Sequence, residues 1–205
     1  MAFMTTEQKA RIEAAIRDAE RRTSGELLCV IAGASDDYHY IPTLWAAVMS
    51  LLVPSGLHLA EILHGTNHLV LGQMIGFVML ALVFQLPALK LRLVPKAVRD
   101  QRAALLAKAQ FLAQGLHRTE AGTGVLIFVS VAERYVEIIA DHGISERVDD
   151  AVWQAAVDKF TTHVKAGHVA EGFLAAVADC GQVLAEHFPA GPENTNELPN
   201  VLVEI

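Results

Sequence analysis

The sequence predicts an α/β fold, a small mixed β-sheet flanked by helices, with an inserted two-helix transmembrane hairpin. Two observations predict it. Strand-like apolar runs at Glu26–Ala32 and Val125–Val131 alternate with segments of helical periodicity. Between residues 23 and 89 the chain contains no lysine or arginine, and two long apolar segments lie within or close to that stretch. The length of 205 residues suits one domain plus a membrane element.

The two apolar segments are Ile41–Leu63 and Leu69–Leu91. Each reaches the roughly 20 residues that a helix needs to cross a bilayer. Basic residues flank the pair on both sides, and the connector His64–His68 has none. By the positive-inside rule we expect an integral protein of the inner or plasma membrane, with cytoplasmic N- and C-termini. The N-terminal segment lacks the apolar core of a secretory signal peptide.

The remaining chain predicts one domain around the hairpin. Thr5 and Gln8 form a capping box that begins a first helix, which precedes the strand Glu26–Ala32. After the hairpin, Pro95 lies near the start of a helix with an apolar stripe. The residues of that stripe are Val98, Leu105, Ala109, Leu112 and Leu116.

Val125–Val131 and Arg134–Ala140 flank a tight turn, so we expect an antiparallel pair. Asp149 or Asp150 caps a helix to about Val164, and a last helix covers His168–His187. The predicted inward residues of the first are Val152, Ala156, Phe160 and Val164, and those of the second are Val169, Phe173, Val177, Cys180 and Leu184. The predicted boundaries are 1–38 and 92–188 for the two parts of the domain, 39–91 for the hairpin, and 189–205 for an extended or disordered tail.

The element order and three motifs resemble the TPM domain family. The motifs are Thr23-Ser24-Gly25-Glu26, Gly124–Val129 and Glu133-Arg134. Members of this family include a thylakoid-lumen protein of photosystem repair and an auxiliary subunit of nematode acetylcholine receptors; some resemble acid phosphatases or bind calcium. The resemblance implies an αβα sandwich, and it departs from the family pattern where Asp141-His142-Gly143-Ile144 replaces a Gly-x-Gly turn.

Acidic residues suggest a cation site. Asp36 and Asp37 follow the first strand, at the edge where open α/β sheets bind ligands, and Asp141 follows the third. Their carboxylates are the hard oxygen ligands that Ca²⁺ or Mg²⁺ prefers. The alternative is that Asp36 and Asp37 solvate a loop. Whether Asp141 joins them depends on the strand order.

Other polar residues offer weaker signals. Glu61 and His64 have the i, i+3 spacing of a carboxylate-histidine metal pair, with His58 nearby, but the motif occurs once and the second segment has no acid. Arg134 is a candidate anion-binding residue, or an exposed turn residue. Gly72 and Gly76 form a G-x-x-x-G motif that favours either self-association or packing between the two spans.

These patterns favour a membrane-anchored, cytosolic interaction or accessory module for a membrane complex, in contact with the lipid bilayer and an unidentified protein. The net charge of −7 argues against nucleic-acid binding. There is no phosphate loop, dinucleotide fingerprint or nucleophile elbow, so no organic cofactor is expected and a non-enzymatic role is favoured. The alternatives are a divalent-cation-dependent, phosphatase-like hydrolase and a small membrane metal- or ion-handling protein.

Overall fold

A computed structural model describes residues 3–62, 65–191 and 196–205. The chain divides into two compact units. The α/β unit comprises Met1–Ser35 and Asp100–Ile205, and the helical unit comprises Asp36–Arg99.

A four-stranded sheet forms the centre of the α/β unit. Its strands are β1 (Glu26–Ala32), β2 (Gly124–Ser130), β3 (Tyr135–Ala140) and β4 (Leu202–Glu204). They lie in the order β3-β2-β1-β4. β1 is parallel to β2 and to β4, and β2 is antiparallel to β3. The predicted mixed sheet and its antiparallel β2–β3 pair are confirmed.

Eight α-helices are described among the residues listed above. In chain order they are α1 (Thr6–Glu20), α2 (Tyr40–Leu59), α3 (Thr66–Phe84), α4 (Pro87–Leu93), α5 (Lys96–Ala113), α6 (His142–Ser145), α7 (Asp150–Lys165) and α8 (Val169–His187). Local chemistry sets several of their ends. Thr5 and Gln8 form the predicted capping box of α1, and Asp149 caps α7 by accepting a hydrogen bond from the Ala151 N–H.

The core of the α/β unit has two layers because β1 and β2 are buried on both faces. On one face, α1, α7 and α8 pack over side chains such as Cys29, Ile127 and Val129. On the other, α5 covers Val30 and Phe128. The sandwich of helices about a sheet is therefore the architecture that the sequence predicts.

The predicted apolar stripe of α5 is only partly the face that packs inward, since Leu116 is buried just beyond the end of the helix. Ala103, Ala107 and Phe111 are the buried residues of this helix, whereas Leu105 and Leu112 are 53% and 58% exposed. The alanine face of α5 therefore packs inward in preference to the leucine face. In α7, similarly, Trp153 is buried and the predicted Val152 is exposed.

The C-terminal tail contributes a strand that the sequence analysis did not predict. Leu202–Glu204 pairs with β1 as β4, and Leu202 is 1% exposed. A short isolated bridge also joins Pro189 to Thr23. Part of the predicted tail, residues 192–195, lies outside the described residues.

The helical unit contains two helices that are long and apolar enough to cross a membrane, α2 and α3. The predicted second span, Leu69–Leu91, ends early because Pro87 begins a separate helix and Leu86 before it is extended. α3 has no buried residue, and both helices expose many large apolar side chains. The hairpin helices also share polar contacts: Gln73 donates to the Ser55 hydroxyl (3.3 Å) and Gln85 donates to the His39 carbonyl (3.2 Å).

Candidate functional site

A buried hydroxyl-carboxylate network lies where the parallel strands β1 and β2 end. The Ser130 hydroxyl donates to the Glu133 carboxylate, and the Ser35 hydroxyl donates to the Ser130 oxygen over 2.8 Å. The Ser35 backbone N–H donates to the other Glu133 oxygen over 3.0 Å. Ser130 is fully buried and Glu133 is 6% exposed. This edge is where open α/β sheets commonly bind ligands.

The chemistry of this network is limited by burial. Ser130 is enclosed and its proton points at Glu133, so it does not present a free nucleophile. Ser35 is half-buried and lies at the outer end of a chain of hydrogen bonds through Ser130 to Glu133. Arg134, the predicted anion-binding residue, is exposed and has a left-handed backbone with φ of 53°. The network stabilises the β2–β3 turn and places one hydroxyl at its surface.

A pair of carboxylates, Glu20 and Glu26, occupies the opposite edge of the sheet, where β1 begins. Glu20 accepts a hydrogen bond from the Leu27 N–H (2.9 Å) and another from the side-chain amide of Asn200. Glu26 accepts from the backbone N–H groups of Glu197 (3.0 Å) and Leu198 (3.2 Å). The two carboxylates therefore hold the C-terminal tail against α1 and β1.

This pair lines a cavity of 350 Å³ together with Arg17, Arg21 and Asn200. Burial raises the pKa of Glu20 to about 8, and the neighbouring Glu26 adds to the increase. Burial also raises the pKa of Glu26. The Asn200 Oδ1 atom is buried and has no hydrogen-bond partner among the described residues. Coupled carboxyls with raised pKa values in a cleft are a feature of functional sites, and here they also anchor the tail.

The sheet topology places the end of β1 and the end of β3 at opposite edges, and one site built from Asp36, Asp37 and Asp141 stays a prediction. β3 is antiparallel to β2, so Asp141 lies beside Gly124 at the edge where β2 begins, and its N–H donates to the Gly124 carbonyl over 2.9 Å. Ser35, the residue before Asp36, lies at the opposite edge with Ser130.

Each of these aspartates has a local role. The Asp36 carboxylate accepts a hydrogen bond from the Tyr38 N–H (3.1 Å), and Asp37 is exposed. Asp141 caps α6 and pairs with the His142 ring at 3.0 Å, while its Oδ2 atom is buried without a described partner. Within the described ranges no three His, Cys, Asp or Glu side chains are grouped to hold a metal ion.

The hairpin candidates are only partly described. His58 and Glu61 are exposed, and His64 lies outside the described residues. A Cβ atom at Gly72 or Gly76 would stand 3.9 Å from the Cβ of Pro54 or Ser50, respectively, so this glycine face packs against α2. Packing between the two spans, one of the two predicted uses of the motif, is thereby favoured over self-association through the same face.

The two cysteines are free, buried thiols. Burial raises the pKa of the Cys180 thiol to about 12, and burial also raises the pKa of Cys29 well above its usual value. A nucleophilic cysteine needs a lowered pKa and access to solvent, so neither thiol has the environment of a catalytic residue.

Sequence reasoning missed both carboxylate networks. Ser35 and Glu133 are 98 positions apart, and Glu20 and Asn200 are 180 apart, so spacing gives no hint of either contact. One local signal was present: Glu26 opens a strand that is otherwise apolar and buried on both faces. A charged residue there needs dedicated hydrogen-bond partners.

Comparison with known proteins supports the family resemblance. Residues 92–183 match the family model described as the TPM domain. The fold is also similar to the NMR structure of the BA42 protein from the psychrophilic bacterium Bizionia argentinensis, with a TM-score of 0.64, 21% sequence identity, and coverage of 100% of this chain and 97% of that one. At that identity the likeness shows the fold alone. No curated protein matches the chain.

Proposed function

We propose that this chain, whose residues 92–183 match the TPM domain, is a membrane-anchored accessory module. In this proposal α2 and α3 cross the inner or plasma membrane as a hairpin. The α/β unit then lies in the cytosol and binds a protein partner of a membrane complex.

The exposed apolar surface of α2 and α3 is the observation that carries the proposal. Large side chains such as Leu52, Met74 and Leu82 are each about two-thirds exposed (66%, 65% and 66%). Water-soluble surfaces rarely carry a contiguous apolar patch of this kind, whereas hydrocarbon solvates it without cost. The absence of Lys and Arg from the connector and their presence on both flanks support cytosolic termini.

Arginine substitution tests membrane insertion. Ile75→Arg with Val78→Arg places two charges in the middle of α3, and each costs roughly 2.5–3.5 kcal/mol at a membrane centre. We expect the wild type to remain in the membrane pellet after alkaline carbonate washing and the double variant to be released. Leu105→Arg with Leu112→Arg is the matched control, since its sites on α5 are similarly exposed (53% and 58%, against 55% and 55%). Release of the wild type would contradict the proposal.

Cysteine labelling tests the orientation. Thr66→Cys places an accessible thiol at the start of α3, and the native Cys29 and Cys180 are buried and give little background. An impermeant maleimide added outside intact cells should label this variant and leave the wild type unlabelled. Labelling only after lysis would place the connector in the cytosol.

A hydrolase is the second candidate, and the Ser35-Ser130-Glu133 network supports it because a half-buried hydroxyl is connected there to a carboxylate. Hydrolysis of a generic phosphate ester by the purified protein, lost in Ser35→Ala and Glu133→Gln, would support this candidate. Calcium or magnesium binding stays a prediction from the sequence. A rise in melting temperature with millimolar calcium, reduced in Asp141→Asn, would support it.

A further inference from the structure

The outer edge of β3 carries unpaired peptide groups. β3 is the first strand in the order β3-β2-β1-β4, so only its β2 side is hydrogen-bonded within the sheet. The Asp141 N–H bonds to Gly124, and alternation along an antiparallel ladder then directs the peptide groups of Val136, Ile138 and Ala140 away from β2. No hydrogen bond from another described residue reaches these three peptide groups. The edge is therefore a template for another strand.

A groove follows this edge. It has a volume of 570 Å³, and its lining includes β3 itself, Lys108 of α5, and Trp153 and Val157 of α7. Because lining residues come from helices on both faces of the sheet, the groove is bordered on two sides. Such a shape accommodates a single extended segment better than the flat edge of a second sheet.

Trp153 provides an independent sign of a missing partner. Its side chain lines the groove and is 7% exposed, yet the indole Nε1–H is buried and has no hydrogen-bond acceptor among the described residues. An unsatisfied buried donor costs about 1–3 kcal/mol. Because Nε1 is enclosed, a carbonyl oxygen of a bound segment would satisfy it only after the indole rotates toward the groove.

The β3 edge has few of the features by which proteins protect exposed edges. Tyr135–Ala140 contains no lysine, no proline and no bulge, and its one charged residue is Glu137. On the other side of the sheet, the C-terminal segment Leu202–Glu204 adds to β1 as β4, and it forms the opposite edge strand. Strand addition by a short segment is thus already used once in this sheet.

The charges around the groove indicate the chemistry of the segment. Glu137 and Asp150 contribute two carboxylates to the lining, against one ammonium from Lys108. Burial raises the pKa of Glu137 although the Lys108 ammonium opposes the rise, and a second cation placed beside it would offset more of that effect. On the α7 side, Asp150 lies at the first turn of the helix, and the wall beyond it is apolar at Trp153 and Val157. Since successive side chains of a strand point to opposite faces, a fitting segment alternates apolar and basic residues.

We propose that the groove along β3 binds an extended peptide segment of a protein partner, with alternating apolar and basic side chains, as a fifth strand of the sheet. The inference rests on the proposed function as an interaction module and identifies its binding surface. Backbone hydrogen bonds to Val136, Ile138 and Ala140 supply affinity, and the two walls supply selectivity.

The test uses the full chain in detergent micelles and a synthetic decapeptide library in which valine or leucine alternates with lysine or arginine. We expect library members to bind and to slow amide hydrogen exchange at Val136, Ile138 and Ala140. In the peptide that binds most tightly, alternate backbone N–H groups face β3 and the others face away. N-methylation of two N–H groups of the set that faces β3 should weaken binding roughly tenfold through the loss of two hydrogen bonds. N-methylation of two N–H groups of the set that faces away from β3 should leave the affinity nearly unchanged. This comparison leaves the protein unaltered, so misfolding cannot produce it.

Trp153→Phe keeps the ring and removes the donor, and it should weaken peptide binding several-fold in a protein with an unchanged folding transition. Val152→Ala is the control, because Val152 lies next to it in α7 but is exposed and does not line the groove. Three results would each overturn the proposal. They are a failure of every library member to bind, equal effects of N-methylation on the two sets of N–H groups, and a dimer of the chain that forms through β3. Carbonate extraction separates this failure from that of the proposed function, because a protein that inserts in the membrane but binds no peptide contradicts only the groove.

Discussion

Gly143 lies where the segment after β3 passes closest to the loop before β2. A Cβ atom there would stand 2.8 Å from the Gly122 carbonyl oxygen and closer still to that of Ala121. Both obstacles are backbone atoms, so they cannot move aside as a flexible side chain would. We expect Gly143→Ala to lower the free energy of unfolding by about 1–3 kcal/mol in chemical denaturation. Gly191→Ala is the control, since a Cβ atom at Gly191 meets nothing within 4 Å; equal stability of the two variants would contradict the close approach.

Glu20 makes the stability of the α/β unit depend on pH. Its pKa is about 8 in the folded chain, against an ordinary value of 4.5, because it is buried beside Glu26. The folded state therefore retains a proton that the unfolded state loses. The contribution of Glu20 to the free energy of unfolding is fully present below pH 4.5, and it is lost as the pH rises to about 8.

Glu20→Gln tests this dependence. Gln remains uncharged at every pH. In the variant, the free energy of unfolding should therefore lose the part of its pH dependence that Glu20 causes, at most about 1.4 kcal/mol per pH unit between those limits. Arg17, Arg21, Glu26 and Asn200 face the same cavity and are unchanged in the variant. Glu186→Gln, at an exposed site on α8, should leave the pH profile unaltered. A Glu20→Gln profile parallel to that of the wild type would show that Glu20 ionises normally in the folded chain.

At the scale of the element, β4 is the shortest strand of the sheet, and its packing can be tested directly. Leu202 is 1% exposed and packs in the same apolar cluster as Ile127 and Phe173. Leu202→Ala should lower the free energy of unfolding by about 2–5 kcal/mol through lost burial and the cavity left behind. Ile205→Ala, at a side chain 44% exposed, should change it little. Hydrogen exchange that finds the Val203 amide unprotected in the wild type would contradict the pairing of β4 with β1.

The elements that the sequence predicted are those with local signals. The capping box at Thr5, the apolar strand Glu26–Ala32 and the hairpin turn between β2 and β3 each arise from neighbouring residues. β4 escaped prediction because three residues carry almost no periodicity and their partner strand is far away in sequence. The candidate sites escaped for the same reason: Glu20 with Asn200 and Ser35 with Glu133 are brought together by the fold alone.

At the scale of the whole molecule, each of the two apolar clusters of the α/β unit is built, among the described residues, from that unit's own side chains. The first is built from α1, α7, α8 and the strands, and the second from α5 and the other face of the sheet. Stability of a domain comes mainly from its own buried apolar surface. The α/β unit should therefore fold without the membrane-spanning helices.

A chain in which a Gly/Ser linker replaces residues 39–94 tests that independence, with several linker lengths so that loop closure is not limiting. We expect it to remain in solution without detergent and to unfold cooperatively, within a few degrees of the soluble-unit transition of the full chain. Doubling the linker should cost only about 0.6 kcal/mol, so a flat dependence on length is part of the prediction. The same deletion combined with Ile127→Asp is the control, because a charge in the dry centre of β2 should abolish the transition. If every linker length yields an unfolded chain, the helical unit supplies stability that the two clusters lack, and the anchor is then part of the fold as well as a tether.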